Sequence, residues 1–205
     1  MTPSRNRVTP LGEVVAIPLR GAWTGNRGIL HRGEQIVRFH VSDLWITCAL
    51  RYKDWWHEQW RPHHFTWLYF HDEAVSLAAG HRPCAECRRP AYNAYRDAWA
   101  AAADVPPLAR EINRQLHSER LVRGTHRRRL HPMAWSDLPD GTFVQHLGGS
   151  AVLVGGRVVE WTDAGYVAAH PRPARGEVGV ITPPSSVAVL RAGYPVQIDA
   201  AALGV

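Results

Sequence analysis

The chain has 205 residues, of which 45% are hydrophobic and 20% charged, so it is long enough for a buried core and too apolar for wholesale disorder. It has no run of about 18 consecutive apolar residues, so we expect no membrane-spanning helix. Residues 1–7 start basic without an apolar run behind them, which predicts no secretory signal and a reducing, cytoplasmic location. There, the three cysteines are expected to be thiols or metal ligands and not disulfides.

The formal net charge is +6, and Lys53 is the only lysine among the basic residues. Arginine binds phosphate and carboxylate in a bidentate manner and stacks on flat rings, so this composition favours polyanionic partners such as nucleic acid. The alternative is a composition bias without functional meaning, because net charge reports on association and not on fold.

The N-terminal part reads as strands over residues 12–19, 29–31, 35–39 and 44–52, with the link 32–34 suited to a hairpin. Helices are predicted over 72–79, 90–103 and 108–122; Asp72 is the expected N-cap of the first, and Gly80 ends it. Further along, residues 151–154 and 157–161 flank Gly155 and Gly156, a two-residue hairpin signal.

These elements predict an α+β fold. It would consist of an N-terminal antiparallel meander with a three-helix segment around a zinc site, followed by a small C-terminal β-rich part. The corresponding units are a zinc-binding domain at 1–123, a basic linker at 124–140 and a β-rich subdomain at 141–205.

The Cys-x-x-Cys pair formed by Cys84 and Cys87 lies between two predicted helices and can deliver two thiolates to one ion from a single turn. Cys48, at the end of a predicted strand, is expected as the third zinc ligand. Three cysteines cannot make a four-thiolate site in one chain, so the fourth ligand must be another group. We favour His31, which lies one strand away from Cys48; the alternatives are His57, His63, His64 and His81.

Two other interpretations of the cysteines stay open. A redox pair would follow a strand and open a helix in a βαβ unit, a pattern that this sequence lacks around Cys84. A pair of inert, buried thiols is the other possibility.

The segment DEAVSLAAGHRPCAECRR, residues 72–89, resembles the zinc-binding N-terminal domain of the Ada family of DNA alkylation-repair proteins. The resemblance implies that Cys84 and Cys87 bind zinc and that Cys48 stands where the family carries its methyl-accepting cysteine. Tyr52 occupies the position of the family's second cysteine. The whole chain also resembles a group of uncharacterised bacterial proteins, in residues 25–28, 45–48 and 80–89.

The third predicted helix and the segment behind it carry the strongest concentration of positive charge in the chain. A basic helical face is the electrostatic pattern of a phosphate binder, although most charged helix faces are simply solvated. The candidate nucleic-acid-binding residues are Arg110, Arg114, Arg120, Arg127, Arg128 and Arg129. His117 and Glu119 are candidates for a general acid/base pair, although positions two apart on a helix point in different directions.

The segment 53–71 is rich in tryptophan and histidine, and its rings could stack on bases or belong to the core. Together these features predict a zinc-binding protein that associates with nucleic acid, with DNA expected and repair or damage handling as the process. The alternatives are a zinc-stabilised enzyme that uses His117 and Glu119, and a structural zinc scaffold that binds a protein partner through the tryptophan-rich segment.

Overall fold

The computed structural model describes residues 3–205, and within them the chain forms fourteen strands in three sheets and five α-helices. The elements of the first half are, in chain order, β1 (Arg7–Val8), β2 (Val14–Val15), β3 (Trp23–Asn26), β4 (His31–Arg32), β5 (Gln35–Ile36), β6 (Ile46–Cys48), β7 (Leu68–Phe70), α1 (Glu73–Ala78), β8 (Arg82–Pro83), α2 (Arg89–Ala103) and α3 (Ala109–Arg120). The second half consists of β9 (His131–Ala134), a 3-10 turn (Trp135–Asp137), β10 (Phe143–His146), β11 (Gly149–Val154), β12 (Arg157–Thr162), β13 (Gly165–Pro171), β14 (Glu177–Val180), α4 (Pro184–Arg191) and α5 (Ala201–Gly204).

The first sheet has six strands in the order β2-β1-β7-β3-β6-β8, and it is mixed. Strands β1 and β7 pair in parallel, as do β6 and β8, whereas the other neighbours are antiparallel. Parallel pairs join segments that are distant in sequence, which is how β8 comes to lie beside β6. Strands β4 and β5 form a separate hairpin whose turn contains Gly33.

The second sheet also has six strands, in the order β13-β12-β11-β10-β14-β9, and all its pairs are antiparallel. The predicted hairpin between β11 and β12 is confirmed, since Val154 pairs with Arg157 across two glycines with positive φ. The predicted cap of α1 is confirmed as well: Asp72 accepts a 2.8 Å hydrogen bond from the backbone N–H of Val75.

The predicted N-terminal antiparallel meander with a three-helix segment around the metal site is wrong. The first sheet is mixed and recruits β7 and β8, which lie beyond the segment that reads as a meander. The predicted helices exist at nearly the expected positions, but with α4 they pack around a common apolar cluster that includes Leu77, Tyr95, Leu116 and Leu190. The fold as a whole is strand-rich, because pairing between distant segments dominates over local helix formation.

The largest apolar cluster joins the two sheets. Leu68 and Phe70 of the first sheet belong to it, together with Phe143, Val152 and Val159 of the second. The predicted linker at 124–140 contributes β9 to the edge of the second sheet. None of the helices in residues 3–205 combines the length and hydrophobicity needed to span a lipid bilayer.

Candidate metal centre and its surroundings

The three cysteines, Cys48, Cys84 and Cys87, come together in one half-buried cluster. Their sulfur atoms all lie within 4.8 Å of one another, and sulfurs on a tetrahedral zinc ion are about 3.8 Å apart given Zn–S bonds of about 2.3 Å. The cluster can therefore bind a metal ion, and thiolate ligands in this spacing fit zinc.

Backbone pairing assembles this cluster. Strand β6 ends at Cys48, and β8 lies parallel to it with Thr47 opposite Pro83. The N–H of Cys84 donates a 2.9 Å hydrogen bond to the carbonyl of Thr47 and so fixes the start of the turn 84–88 beside the strand end. Helix α2 begins directly after this turn, at Arg89.

Backbone N–H groups also support the sulfur atoms. The N–H of Ala49 donates a hydrogen bond to Sγ of Cys87, and that of Glu86 donates one to Sγ of Cys84; both N···S distances are 3.4 Å. Hydrogen bonds with Cys84 and Cys87 raise the pKa of Cys48, whereas hydrogen bonds from Cys48 and Cys87 lower the pKa of Cys84. Three thiols this close together can carry one negative charge easily. A second or third thiolate requires a nearby cation, because like charges repel.

Two buried arginines hold the cysteine turn in place, and the sequence pattern had not singled them out. Arg88 forms a 2.7 Å ion pair with Glu73 of α1 and lies 3.8 Å from the ring centre of Trp23. Arg82 donates a 2.8 Å hydrogen bond to Oδ1 of Asn113 on α3. Their position within two residues of Cys84 or Cys87 was the available signal.

His31, the favoured fourth ligand, lies apart from the sulfur cluster. Its Nδ1 is 2.7 Å from Oγ1 of Thr66 and its Nε2 is 3.3 Å from the carbonyl oxygen of Arg61. Among residues 3–205, no histidine, aspartate or glutamate joins the three cysteines in the cluster. In this arrangement the fourth position is open to solvent or to a bound molecule.

An aromatic cleft of about 510 Å³ lies next to Cys48 in the first sheet, since Thr24, the residue paired with Cys48, lines it. In the first sheet Cys48 lies opposite Thr24, and Thr24 lies opposite Tyr69. Directly opposed residues of antiparallel strands point to the same face, so the cysteine shares a sheet face with two side chains that line the cleft. The other lining residues are Leu50, Arg51, Trp55, Trp56, His57, Gln59 and Trp67.

The rings of this cleft divide into an inner and an outer set. His57 is buried and stacks on Trp67, with ring centres 4.8 Å apart. Trp55 and Trp56 are 59% and 76% exposed, so both lie outside the core. None of the described residues that line the cleft carries a carboxylate, and its one formal charge is the exposed guanidinium of Arg51.

The candidate phosphate-binding arginines of α3 do not share one solvent face, which corrects that part of the sequence interpretation. Arg110 and Arg114 are exposed, whereas Arg120 is fully buried and donates to the carbonyls of Gly80 and Asp43. Behind the helix, Arg127 and Arg129 are exposed, but Arg128 is half-buried and donates to the carbonyl of Ile181. Arg120 and Arg128 thus serve the interior, where they donate hydrogen bonds to backbone carbonyls.

The candidate acid/base residues have separate partners. His117 accepts a 2.8 Å hydrogen bond at Nδ1 from Arg120. Glu119 is buried and accepts hydrogen bonds from the backbone N–H and the hydroxyl of Ser185, at 3.0 and 2.6 Å. The structure does not bring the two side chains together at one site; Glu119 instead ties α3 to the start of α4.

Comparison with models of protein families, with curated proteins and with solved structures finds no match for this chain. The class of protein therefore follows from its fold and its cysteine cluster alone: it is a strand-rich α+β protein whose three cysteines could bind a metal ion.

Proposed function

We propose that this protein binds zinc through Cys48, Cys84 and Cys87 and associates with nucleic acid, DNA in particular, through the sheet face that carries Cys48. The observation that carries the proposal is the aromatic cleft beside the cysteine cluster. A cleft with exposed tryptophans, one arginine and no carboxylate suits stacked bases and a phosphate backbone.

Charge supports the same partner. The chain has a net charge of +6, and Arg110, Arg114, Arg127 and Arg129 are exposed. Phosphate contacts of this kind add affinity that depends steeply on salt and little on sequence. Repair or damage handling is the process that we propose, on the strength of the resemblance of residues 72–89 to the Ada zinc domain.

The test is fluorescence anisotropy of zinc-loaded protein with labelled single-stranded and double-stranded DNA over a range of salt concentrations. We expect binding that weakens as salt rises. At the same salt concentration, Trp56→Ala should bind DNA about 5- to 150-fold more weakly than the wild-type protein, the equivalent of about 1–3 kcal/mol for one stacked base. Leu203→Ala, which removes another exposed apolar side chain, 61% exposed against 76% for Trp56, from α5, is the matched control.

The outcomes separate the alternatives. Absence of DNA binding at low salt contradicts the nucleic-acid proposal and leaves the exposed tryptophans as a surface for a protein partner. DNA binding that Trp56→Ala and Leu203→Ala affect equally contradicts the assignment to the aromatic cleft. Binding of single-stranded but not double-stranded DNA supports base stacking, because bases in a duplex are not accessible to the rings.

A further inference from the structure

A stack of buried cations forms around Trp45. The guanidinium carbons of Arg27 and Arg120 both lie 3.9 Å from the ring centre of the buried Trp45, and both arginines are fully buried. The half-buried Arg128 donates to the backbone carbonyl of Arg120. Within residues 3–205, none of these three arginines forms an ion pair with a carboxylate.

Most of the unsatisfied buried polar atoms among the described residues lie on this stack or on the two histidines, His40 and His81, whose ring centres are 5.7 and 5.1 Å from that of Trp45. Among the described residues, seven buried side-chain nitrogen or oxygen atoms have no hydrogen-bond partner, and four of them lie on Arg27, His40, His81 and Arg120. An unpaired buried polar atom is costly, so a concentration of them calls for an explanation, and a bound ligand nearby is one.

A cleft of about 490 Å³ lined by three histidines lies next to the stack, and His117 connects the two. His117 accepts a hydrogen bond from Arg120, and its ring centre lies 5.1 Å from that of His40. His126 stacks on Phe39, and the guanidinium of Arg27 lies over the same Phe39 ring. The remaining lining residues are Ser118, Leu121, Val122, Arg123, Gly124, Thr125 and Arg129.

The electrostatics of this histidine cleft favour an anion over a metal cation. None of the described lining residues has a carboxylate, and Arg123 and Arg129 at its rim are exposed. Burial first, and the neighbouring His117, Arg120, His126 and Arg27 in addition, lower the pKa of His40 to about 4. The imidazole of His40 therefore stays neutral at pH 7, so the uncompensated charge comes from the arginines.

We propose that the histidine cleft binds a phosphate group, held by Arg123, Arg129 and the imidazoles of His117 and His126 in the positive field of the buried stack. A phosphate group accepts hydrogen bonds from several N–H donors, and its negative charge would compensate the positive charge of the stack. The phosphate could belong to a free small molecule or to a nucleic-acid backbone. This proposal depends neither on the zinc site nor on the aromatic cleft.

The test is isothermal titration of the full-length protein with inorganic phosphate, with a nucleoside monophosphate and with double-stranded DNA. We expect the double variant Arg123→Ala/Arg129→Ala to weaken binding by at least about tenfold, as for the loss of charge-assisted hydrogen bonds. Both side chains are exposed, so the variant should fold. Arg175→Ala, which removes an exposed arginine between β13 and β14, is the matched control.

A second readout locates the ligand. Titration followed by NMR of the imidazole resonances should shift those of His117 and His126 in the wild-type protein, and His126→Ala should weaken the same binding. Saturable binding of inorganic phosphate or of the monophosphate supports a free ligand; binding of DNA alone, weakened in the double variant but not in Arg175→Ala, supports a backbone phosphate.

The proposal is overturned if no phosphate ligand binds, or if the double variant and the control bind equally. The results with inorganic phosphate are independent of the test in the aromatic cleft, because Trp56→Ala should leave that binding unchanged.

Discussion

The three cysteines reach one point in space from two separate segments of the chain, and their immediate neighbours hold them there. Cys84 and Cys87 are fixed by their own turn, whereas Cys48 depends on the pairing of β6 with β8. Because each sulfur contributes to a single cluster, removal of one thiol should disable the whole site and not a third of it.

We expect one zinc ion per chain in the purified protein and none in Cys84→Ser, measured by elemental mass spectrometry. Two controls address the fourth position. Glu86→Gln should keep the metal, since this exposed carboxylate lies outside the sulfur cluster, and His31→Gln should keep it because the imidazole is bonded elsewhere. Loss of zinc in either control would identify that residue as a ligand; metal-free wild-type protein would refute the zinc site.

A second prediction at this scale concerns pH. The pKa of His40 is lowered to about 4 by burial and then by neighbouring cations, and burial likewise lowers the pKa of His81. Between pH 4 and 6.5 these two histidines therefore bind more protons in the unfolded chain than in the folded one. Their contribution to the free energy of unfolding should fall as the pH drops below about 6.5. The slope for His40 stays well under about 1.4 kcal/mol per pH unit, because the side chain is partly exposed.

Denaturant unfolding at a series of pH values measures this dependence. His40→Gln should give a shallower decline than the wild-type protein, and Thr125→Ala, a change to a non-titrating residue of the same cleft, should not. Parallel curves for His40→Gln and the wild-type protein would contradict the assignment to His40.

At the scale of elements, the turn 84–88 joins the first sheet to α2, and Arg88 fixes its end. Its guanidinium pairs with Glu73, whose carboxylate also accepts hydrogen bonds from the Tyr194 hydroxyl and the Gln197 backbone N–H. Helix α1, the cysteine turn and the C-terminal segment thus meet at one buried carboxylate. Such a junction gives little net stability when intact but is costly to break, since a partner is left charged and buried.

Arg88→Ala should therefore lower the free energy of unfolding by about 3–5 kcal/mol. The adjacent Arg89→Ala should change it by less than about 0.5 kcal/mol, because Arg89 is exposed. Chemical denaturation of the two variants under the same metal-loaded conditions provides the comparison. Equal effects of the two substitutions would show that the buried ion pair is not what holds the turn.

At the scale of the whole molecule, both six-stranded sheets contribute to one apolar cluster. Trp161 and Phe143 of the second sheet are buried in the same cluster as Val8 and Phe70 of the first. Apolar burial is the dominant favourable contribution to folding, so two sheets that share it should stabilise each other. The predicted division of the chain at residues 124–140 into units that fold independently stays a prediction.

We expect a single unfolding transition, with tryptophan fluorescence and far-UV circular dichroism giving coincident curves. Phe143→Ala in the second sheet should lower the midpoint of both signals by the same amount, at a cost of about 3–5 kcal/mol for a large buried ring. Leu147→Ala, at an exposed turn of the same sheet, is the control. Two separate transitions, with only one shifted by Phe143→Ala, would show that the sheets unfold independently.

The sequence by itself determined the local features. The glycines at 155 and 156 specify the β11–β12 hairpin, Asp72 caps α1, and Cys84 and Cys87 lie on one turn. In each case the physical cause acts within a few residues: a positive φ, a side-chain acceptor for a free N–H, or the reach of two side chains. The joining of Cys48 to that pair was predicted from the strand end and the Ada resemblance, and the clustered sulfurs confirm it.

Only the tertiary structure decided the sheet topology, the burial of Arg120 and Arg128, and the surroundings of the cysteines. Helical spacing places Arg110, Arg114 and Arg120 on one strip, but which part of the strip meets solvent depends on what packs against α3. Likewise, β8 pairs with β6 across 33 residues that contain β7 and α1, and no local period encodes such a contact. Burial and long-range pairing are properties of the assembled chain, so patterns among neighbouring residues do not predict them.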